Sequence, residues 1–385
     1  MAFVWLGVLS IALVGTAVLE RRTRLSRLRD RADWSPPRAE WGFDAKPPPA
    51  TYLLFRALAS GARLVRSRSI VLERSARLAF FGRLVSCIAL ASALALVPFA
   101  GTWGGHAEGL ALVSLDLRYG LLALVFLLFL MALAQVAIGL ADRQVWSRLG
   151  SVRLASRNLA GLGLFMIVLA PLALETGSLR LHDIVFAQQA TFAPLSWLPA
   201  PVGSDAFEFA RSWRWPNWNL FAQPLTALLF VPTVENLVHR PWARDPMSGS
   251  TAASGFGIDD DPVDLYWARF ESRLARVLAA SLFVALFLGA GAIPFVPASA
   301  VVDLFEPMIG FALPALLGVG IQVGAFLAKT LIVLAVISFI RNATAVMRDD
   351  QWIGIITLRL LPLAWANLLL MSALTLLSGS IRGGA

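Results

Sequence analysis

The residues best able to do chemistry are ionisable groups set in strongly apolar surroundings. Lys329 lies inside the run GAFLAKTLIVLAVISFIRN, and Arg341 follows it by twelve residues, roughly 18 Å along a helix. Glu235 sits in LTALLFVPTVENLVHRP, just before His239 and Arg240, while Glu271, Arg273 and Arg276 lead into another apolar run and Arg359 opens the last one. A charge in an apolar membrane span is costly, so each is a candidate for moving a proton or holding a ligand. Neighbouring opposite charges would keep one another ionised where burial would discharge either alone, which makes Glu235, Lys329 and Arg341 a candidate buried polar chain. The plainer readings stand beside these. Glu235 fits a salt-bridged helix end, Arg341 and Arg348 fit membrane-edge anchors, and Asp259, Asp260, Asp261 and Asp264 fit a solvated loop.

Other chemistries find little support. Cys87 is the only cysteine, which excludes an intrachain disulfide, a thiolate zinc site and an iron–sulfur cluster carried by this chain alone. His106, His182 and His239 are far apart and show no ligand spacing; His106 and His182 read as outer surface residues. The segment SGSTAASGFG follows no strand and contains no lysine, so it makes a poor phosphate loop. No metal or flavin is expected on this chain, and any redox metal would belong to another subunit.

The elements that position these groups follow from composition. Of 385 residues 58% are hydrophobic and 15% charged, with a mean hydropathy of +0.71; a soluble domain carries about 25% charge. The expected fold is an all-α integral membrane protein, one membrane domain over residues 1–385, with about eight transmembrane helices at 2–19, 84–104, 119–141, 158–174, 218–238, 274–293, 313–340 and 353–378. The first is read as a retained span, since it lacks a basic leader and a small-residue cleavage site. Residues 298–312 read as an interfacial or re-entrant piece. Trp197, Trp213, Trp215 and Trp218 suggest an aromatic belt at the outer interface. No internal repeat is visible, which argues against an inverted-repeat transporter.

The net charge of +9 raises nucleic acid as a partner until the cations are located. The segments after the odd-numbered spans hold 26 of the 33 lysines and arginines, against 5 on the opposite side. That asymmetry places the odd connections in the cytoplasm and both termini outside. The charge is topological, and nucleic acid drops out. Two cytoplasmic segments exceed a turn. Residues 20–83 are basic and carry an amphipathic helix, with Leu54, Leu58, Ala62 and Val65 on one face and Arg56, Arg63 and Arg66 off it. Residues 239–273 form an acidic loop. Long loops on one face suggest docking of a soluble partner.

The stretch from Lys329 to Leu370 resembles the last two helices of the H subunit (subunit 1) of proton-pumping NADH:quinone oxidoreductase, respiratory complex I. Lys329, Arg341, Arg348, Asp350, Gln351, Leu361, Pro362 and Asn367 match that family's pattern without a gap. Glu20, Arg21, Asp30 and Arg31 are similar to its first-helix exit, LASGARL to its amphipathic helix, and Leu149, Gly150 and Arg153 to the start of its fourth helix. HDIVFAQQ and WNLFAQPL resemble stretches around its fifth helix, VENLVHRPWARDP keeps Glu235 and aligns Arg240, and Glu271 lies one residue from a family glutamate.

The resemblance implies a subunit at the junction of membrane and peripheral arms that forms most of a quinone tunnel. Quinone would be a substrate in a shared site. The partners implied are other membrane-arm subunits, peripheral-arm iron–sulfur and quinone-site subunits, and membrane lipid. Glu20, Arg21, Arg31, Glu235, Arg240, Asp259, Asp260, Asp261, Asp264 and Glu271 become candidates for the quinone chamber and its coupling. Lys329, Arg341, Arg348 and Asp350 become a candidate buried relay. No residue is assigned catalysis by this chain alone. The departures are specific: Ser60 stands for a family aspartate, and Gly161-Leu162 for a tyrosine followed by a membrane-buried glutamate. Two alternatives therefore stay open, the anchor of a complex I-related hydrogenase or formate hydrogenlyase, and a non-catalytic scaffold that has lost the proton path.

Overall fold

The computed structural model describes residues 76–100, 113–141, 145–192, 215–238, 262–294, 312–343 and 349–383. They form helices α1 (Ala76–Leu96), α2 (Gly120–Ala141), α3 (Val145–Thr176), α4 (Leu181–Ala187), α5 (Asn219–Ala222), α6 (Pro224–Val238), α7 (Pro262–Phe287), α8 (Ala312–Ala343), α9 (Asp349–Ile355) and α10 (Leu361–Gly383). Two short strands, β1 (Thr191–Phe192) and β2 (Trp215–Pro216), pair antiparallel with Thr191 opposite Pro216.

α2 is built from leucine, alanine, phenylalanine and valine and contains no charged residue over its 22 positions, about 33 Å of helix and enough for the hydrocarbon layer. α1, α3, α8 and the continuous α9–α10 segment are also long and apolar enough to cross a membrane. Eight spans were expected; five meet that test among the described residues. Residues 2–19 lie outside the described residues, α6 offers only the short apolar stretch Pro224–Thr233, and α7 carries Glu271, Arg273 and Arg276 close together near its middle.

α7 is the central helix. It packs against α1, α4, α5, α6 and α8, and almost every residue from Leu274 to Phe287 is buried. A helix buried on all sides has no lipid-facing stripe, so its polar groups must find partners inside the bundle. Around it, α1 packs on α2, α2 on α3, and α3 on α6 and α10. Phe230 of α6 meets Phe287 edge to face at 5.2 Å and Phe165 in a tilted contact at 5.8 Å, joining α3, α6 and α7. Gly82 lets α1 approach α2 closely, because a Cβ there would lie 2.7 Å from Ile138 Cγ1 and 3.0 Å from the Ala134 carbonyl.

Two irregularities shape the bundle. Residues Ile356–Leu360 form a π-helical turn between α9 and α10, just before Pro362, whose missing N–H breaks the regular ladder. At its end, α7 unwinds through Gly289 and Ala290, both at positive φ (65° and 48°), while the amides of Leu288 and Ala290 both donate to the Val284 carbonyl. The end that joins α2 to α3 carries Arg148, Arg153 and Arg157 and is called the basic end. The opposite end, where α4 and α5 close over α7, is called the capped end.

Candidate functional site

Glu271 lies nine residues into α7 from Pro262, roughly 14 Å from the helix start, and is 1% exposed. Its Oε1 accepts hydrogen bonds from Ser86 Oγ of α1 at 2.5 Å and Gln135 Nε2 of α2 at 2.8 Å. Gln135 in turn accepts a long 3.5 Å bond at Oε1 from Asn158 Nδ2 of α3. One carboxylate is therefore held by two helices besides its own, and its network reaches a third. Arg83, Arg157 and Arg276 are buried too, with the Arg157 guanidinium 5.5 Å from the centre of the Trp352 ring. Glu271 was a candidate from sequence; Ser86, Gln135 and Asn158 were not. The available signal was a lone Gln in the otherwise uncharged α2 and an Asn at the edge of the apolar part of α3.

Beyond Asn158 a cavity of about 20 Å³ is lined by Leu128, Met131, Asn158, Gly161, Leu162 and Thr233. That is room for one water molecule, and Asn158 and Thr233 supply polar atoms. Gly161 and Leu162 are the positions that the resemblance sets against the family's tyrosine–glutamate pair. The network thus leads from Glu271 towards the place where that carboxylate would stand.

The second polar site is at the other end of α7. Lys329 Nζ donates to the carbonyl oxygens of Leu288 at 2.7 Å, Ala290 at 3.0 Å and Ala292 at 2.6 Å, and lies 4.4 Å from the centre of the Trp218 ring. The ammonium thus fills a cage of carbonyls at a helix C-terminus, the negative end of its dipole. The ring beneath adds cation–π attraction. Trp218 therefore supports Lys329, a contact that its expected place in an outer aromatic belt does not include. Gln188 braces the same end: its Oε1 accepts from the amides of Asn219 and Gly289, and its Nε2 donates to the Ile184 and Ala285 carbonyls. Glu271 and the unwound end are separated by sixteen helical residues of α7, about 24 Å, so these are two sites and not one cluster. A third polar link joins Asn367 Nδ2 of α10 to Thr226 Oγ1, Thr226 to Gln223 Oε1, and Gln223 Nε2 to Glu175 of α3.

Outside the spans, Asp116 and Arg180 form an ion pair that tethers the start of α2 to the start of α4. Hydrogen bonding to Arg180 holds the Asp116 carboxyl below its ordinary range. His182, expected at the surface, is only 9% exposed, its ring stacked on Phe186 and its Nδ1 without a hydrogen-bond partner. Burial pushes its pKa down, against the opposing pull of the Asp116 carboxylate. The misreading arose because a polar residue at the start of a short helix looks solvent-facing, whereas α4 packs on α7 and turns this face inward.

The other sequence candidates are placed as follows. Asp350 is exposed in the first turn of α9, where a carboxylate suits the helix N-terminus. Glu235, Asp264 and Arg341 lie on α6, α7 and α8, their side chains outside the described residues. Glu20, Arg21, Arg31, Arg240, Asp259, Asp260, Asp261 and Arg348 lie outside the described residues, as do Ser60, His106, Trp197, Trp213 and the amphipathic helix around Leu54–Val65. Among the described residues, no three His, Cys, Asp or Glu side chains are grouped to hold a metal ion.

A membrane-embedded bundle of this kind, with a buried carboxylate at one end of its central helix, can be set beside known proteins. A family model described as NADH dehydrogenase matches residues 47–372. The chain belongs to that family. Its relatives include the second H subunit of NADH-quinone oxidoreductase from Cereibacter sphaeroides, 29% identical over 208 residues, covering 54% of this chain and 58% of the relative. The first H subunit of the same enzyme from Rhodopseudomonas palustris is 26% identical over 281 residues, 73% of this chain and 72% of the relative. The H subunit of the F(420)H(2) dehydrogenase of Methanosarcina mazei is 25% identical over 269 residues, 68% and 65%. The match to the Cereibacter relative thus spans less than two thirds of that protein's length. Family membership accounts for the helical membrane fold, and the low identity fits a divergent member.

Proposed function

We propose that this chain is the membrane subunit of a complex I-like NADH:quinone oxidoreductase, forming the quinone chamber at the junction with the peripheral arm and coupling quinone reduction to proton translocation. Family membership supports the general role. The observation that carries the coupling is Glu271, a buried carboxylate shared by α1, α2 and α7, with its polar network extended to α3. In an apolar bundle such a group is a place where a proton can be held or released at the cost of rearranging a few hydrogen bonds. The chain does not transfer electrons itself. It supplies a dry, shaped floor whose charge state answers to chemistry at the peripheral arm; of the remaining candidates Asp264 lies on α7 itself, and Glu235, Lys329 and Arg341 lie on the adjoining α6 and α8.

The test uses the assembled complex. A tagged chain, purified in mild detergent, should bring peripheral-arm iron–sulfur subunits with it and show NADH-dependent quinone reduction; recovery of the chain alone would overturn the reading. In proteoliposomes Glu271→Gln should assemble, yet lower proton uptake per quinone reduced. Equal coupling in mutant and parent would remove Glu271 from the mechanism.

A further inference from the structure

Between α2 and α3, near the capped end, runs an open apolar groove of about 650 Å³, lined chiefly by Leu121, Leu122, Val125, Met166, Leu169 and Leu368. Along α3 it extends from Met166 to Leu174, about 12 Å of helix, close to the roughly 15 Å depth of one leaflet's hydrocarbon. Several of its walls face outward, with Leu122 51% and Met166 49% exposed. It is a furrow on the flank of the bundle, and it does not adjoin either polar site on α7.

The rim gives the groove a chemical identity. Ser178, the one polar side chain among the lining residues, donates its hydroxyl to Asp183 Oδ2 at 2.6 Å. The Leu121 amide donates to the Leu179 carbonyl at 3.0 Å, which fastens the α2 start to this rim. Arg180 is engaged by Asp116, and its second contact, to Asp183, is a loose 3.9 Å. Asp183 therefore keeps an accessible carboxylate. Arg118, three residues before Leu121, rests on the Tyr119 ring at 5.7 Å and has no ion pair among the described residues. The rim so offers one cation just before α2 and one accessible carboxylate in the first turn of α4, with no excess of either sign.

We propose that this groove is a lipid site, holding one acyl chain of an aminophospholipid whose phosphate accepts hydrogen bonds from Arg118 and whose ammonium donates to Asp183. A quinone tail would fill the furrow but leave both charges unused. An anionic lipid would satisfy Arg118 and be repelled by Asp183. The site is independent of the proposed coupling function and reads out separately from it.

The purified, delipidated complex is titrated with spin-labelled phosphatidylethanolamine, phosphatidylcholine or phosphatidylglycerol, and electron paramagnetic resonance reports the motionally restricted fraction. Phosphatidylethanolamine should be retained about fivefold better than the other two, the effect of roughly one interfacial charge. Arg118→Gln should lower its retention by a similar factor. Asp183→Asn should erase its advantage over phosphatidylcholine. Ala173→Trp or Leu122→Trp, each filling the groove, should abolish the restricted component while quinone reduction persists. Equal retention of all three lipids, or a restricted component unchanged in both tryptophan variants, would overturn the proposal. So would efficient cross-linking of Leu122→Cys to a neighbouring subunit in a Cys87→Ala background, since a protein helix would then occupy the furrow.

Discussion

The Lys329 ammonium lies 4.4 Å above the Trp218 ring while its three donor directions meet carbonyls of the unwound end of α7. A residue in mid-span of α8 thereby completes the hydrogen bonding of another helix. Its charge is balanced by a helix terminus and an aromatic face.

Lys329→Met leaves those three carbonyls without their common donor. Besides any loss of coupled proton movement, it should destabilise the protein by about 1.5–3 kcal/mol, the range for hydrogen bonds to a charged group. Lys329→Arg should not restore stability, because a planar guanidinium cannot converge on one point as an ammonium does. Trp218→Leu should cost less, about 0.5–2 kcal/mol. Thermal unfolding of the purified complex distinguishes the three variants.

Leu162→Glu tests the role of the cavity beside Asn158 and Thr233. The side chains are similar in volume, and the new carboxyl would enter a space that already holds polar atoms. The variant should assemble and raise the number of protons moved per quinone reduced, measured in proteoliposomes. Assembly with no rise would show that the network ends at Asn158.

His182 predicts a pH dependence at the capped end. Its folded pKa lies below the ordinary 6.5, so the unfolded chain takes up the proton more readily. The stabilisation is present above about pH 6.5 and is lost as pH falls through the folded value. Asp116, also held low, follows only in stronger acid, below about pH 4. Hydrogen exchange across residues 178–188, corrected for its intrinsic pH dependence, should accelerate between about pH 7.5 and about pH 5, and His182→Gln should flatten the change.

Gly291→Ala should be among the most damaging small substitutions. A Cβ there would lie 2.5 Å from the Gln322 carbonyl oxygen and 2.9 Å from that of Phe99, and backbone cannot yield as a side chain does. A loss of about 1–3 kcal/mol is expected. Gly320→Ala, with open space around its Cβ, is the matched control in the same unfolding assay.

Legibility in the sequence tracked the environment of each helix. The expected spans 119–141 and 313–340 agree closely with α2 (Gly120–Ala141) and α8 (Ala312–Ala343), because long apolar strings, one of them interrupted only by Lys329, announce contact with lipid. The spans expected from 158 and 274 begin far earlier, at Val145 in α3 and Pro262 in α7. The helical residues ahead of the expected starts carry Arg148, Arg153, Arg157, Glu271 and Arg273, which hydropathy reads as loop. In α7 the charged turns are helix nonetheless, with Glu271 and Arg276 buried among other helices. α1 was expected from 84 to 104 and ends at Leu96, where Pro98 closes off the helix.

The sequence by itself determined the membrane class, the family and the short list of ionisable residues, since hydrophobicity, charge bias and motif spacing are properties of the string. Only the tertiary structure decided what those residues meet. Glu271 is held by Ser86 and Gln135, whose convergence on it no spacing in the sequence announces, because three helices meet there. Lys329 is held mainly by backbone carbonyls, which every residue carries alike, so no pattern of side chains could have named its partners.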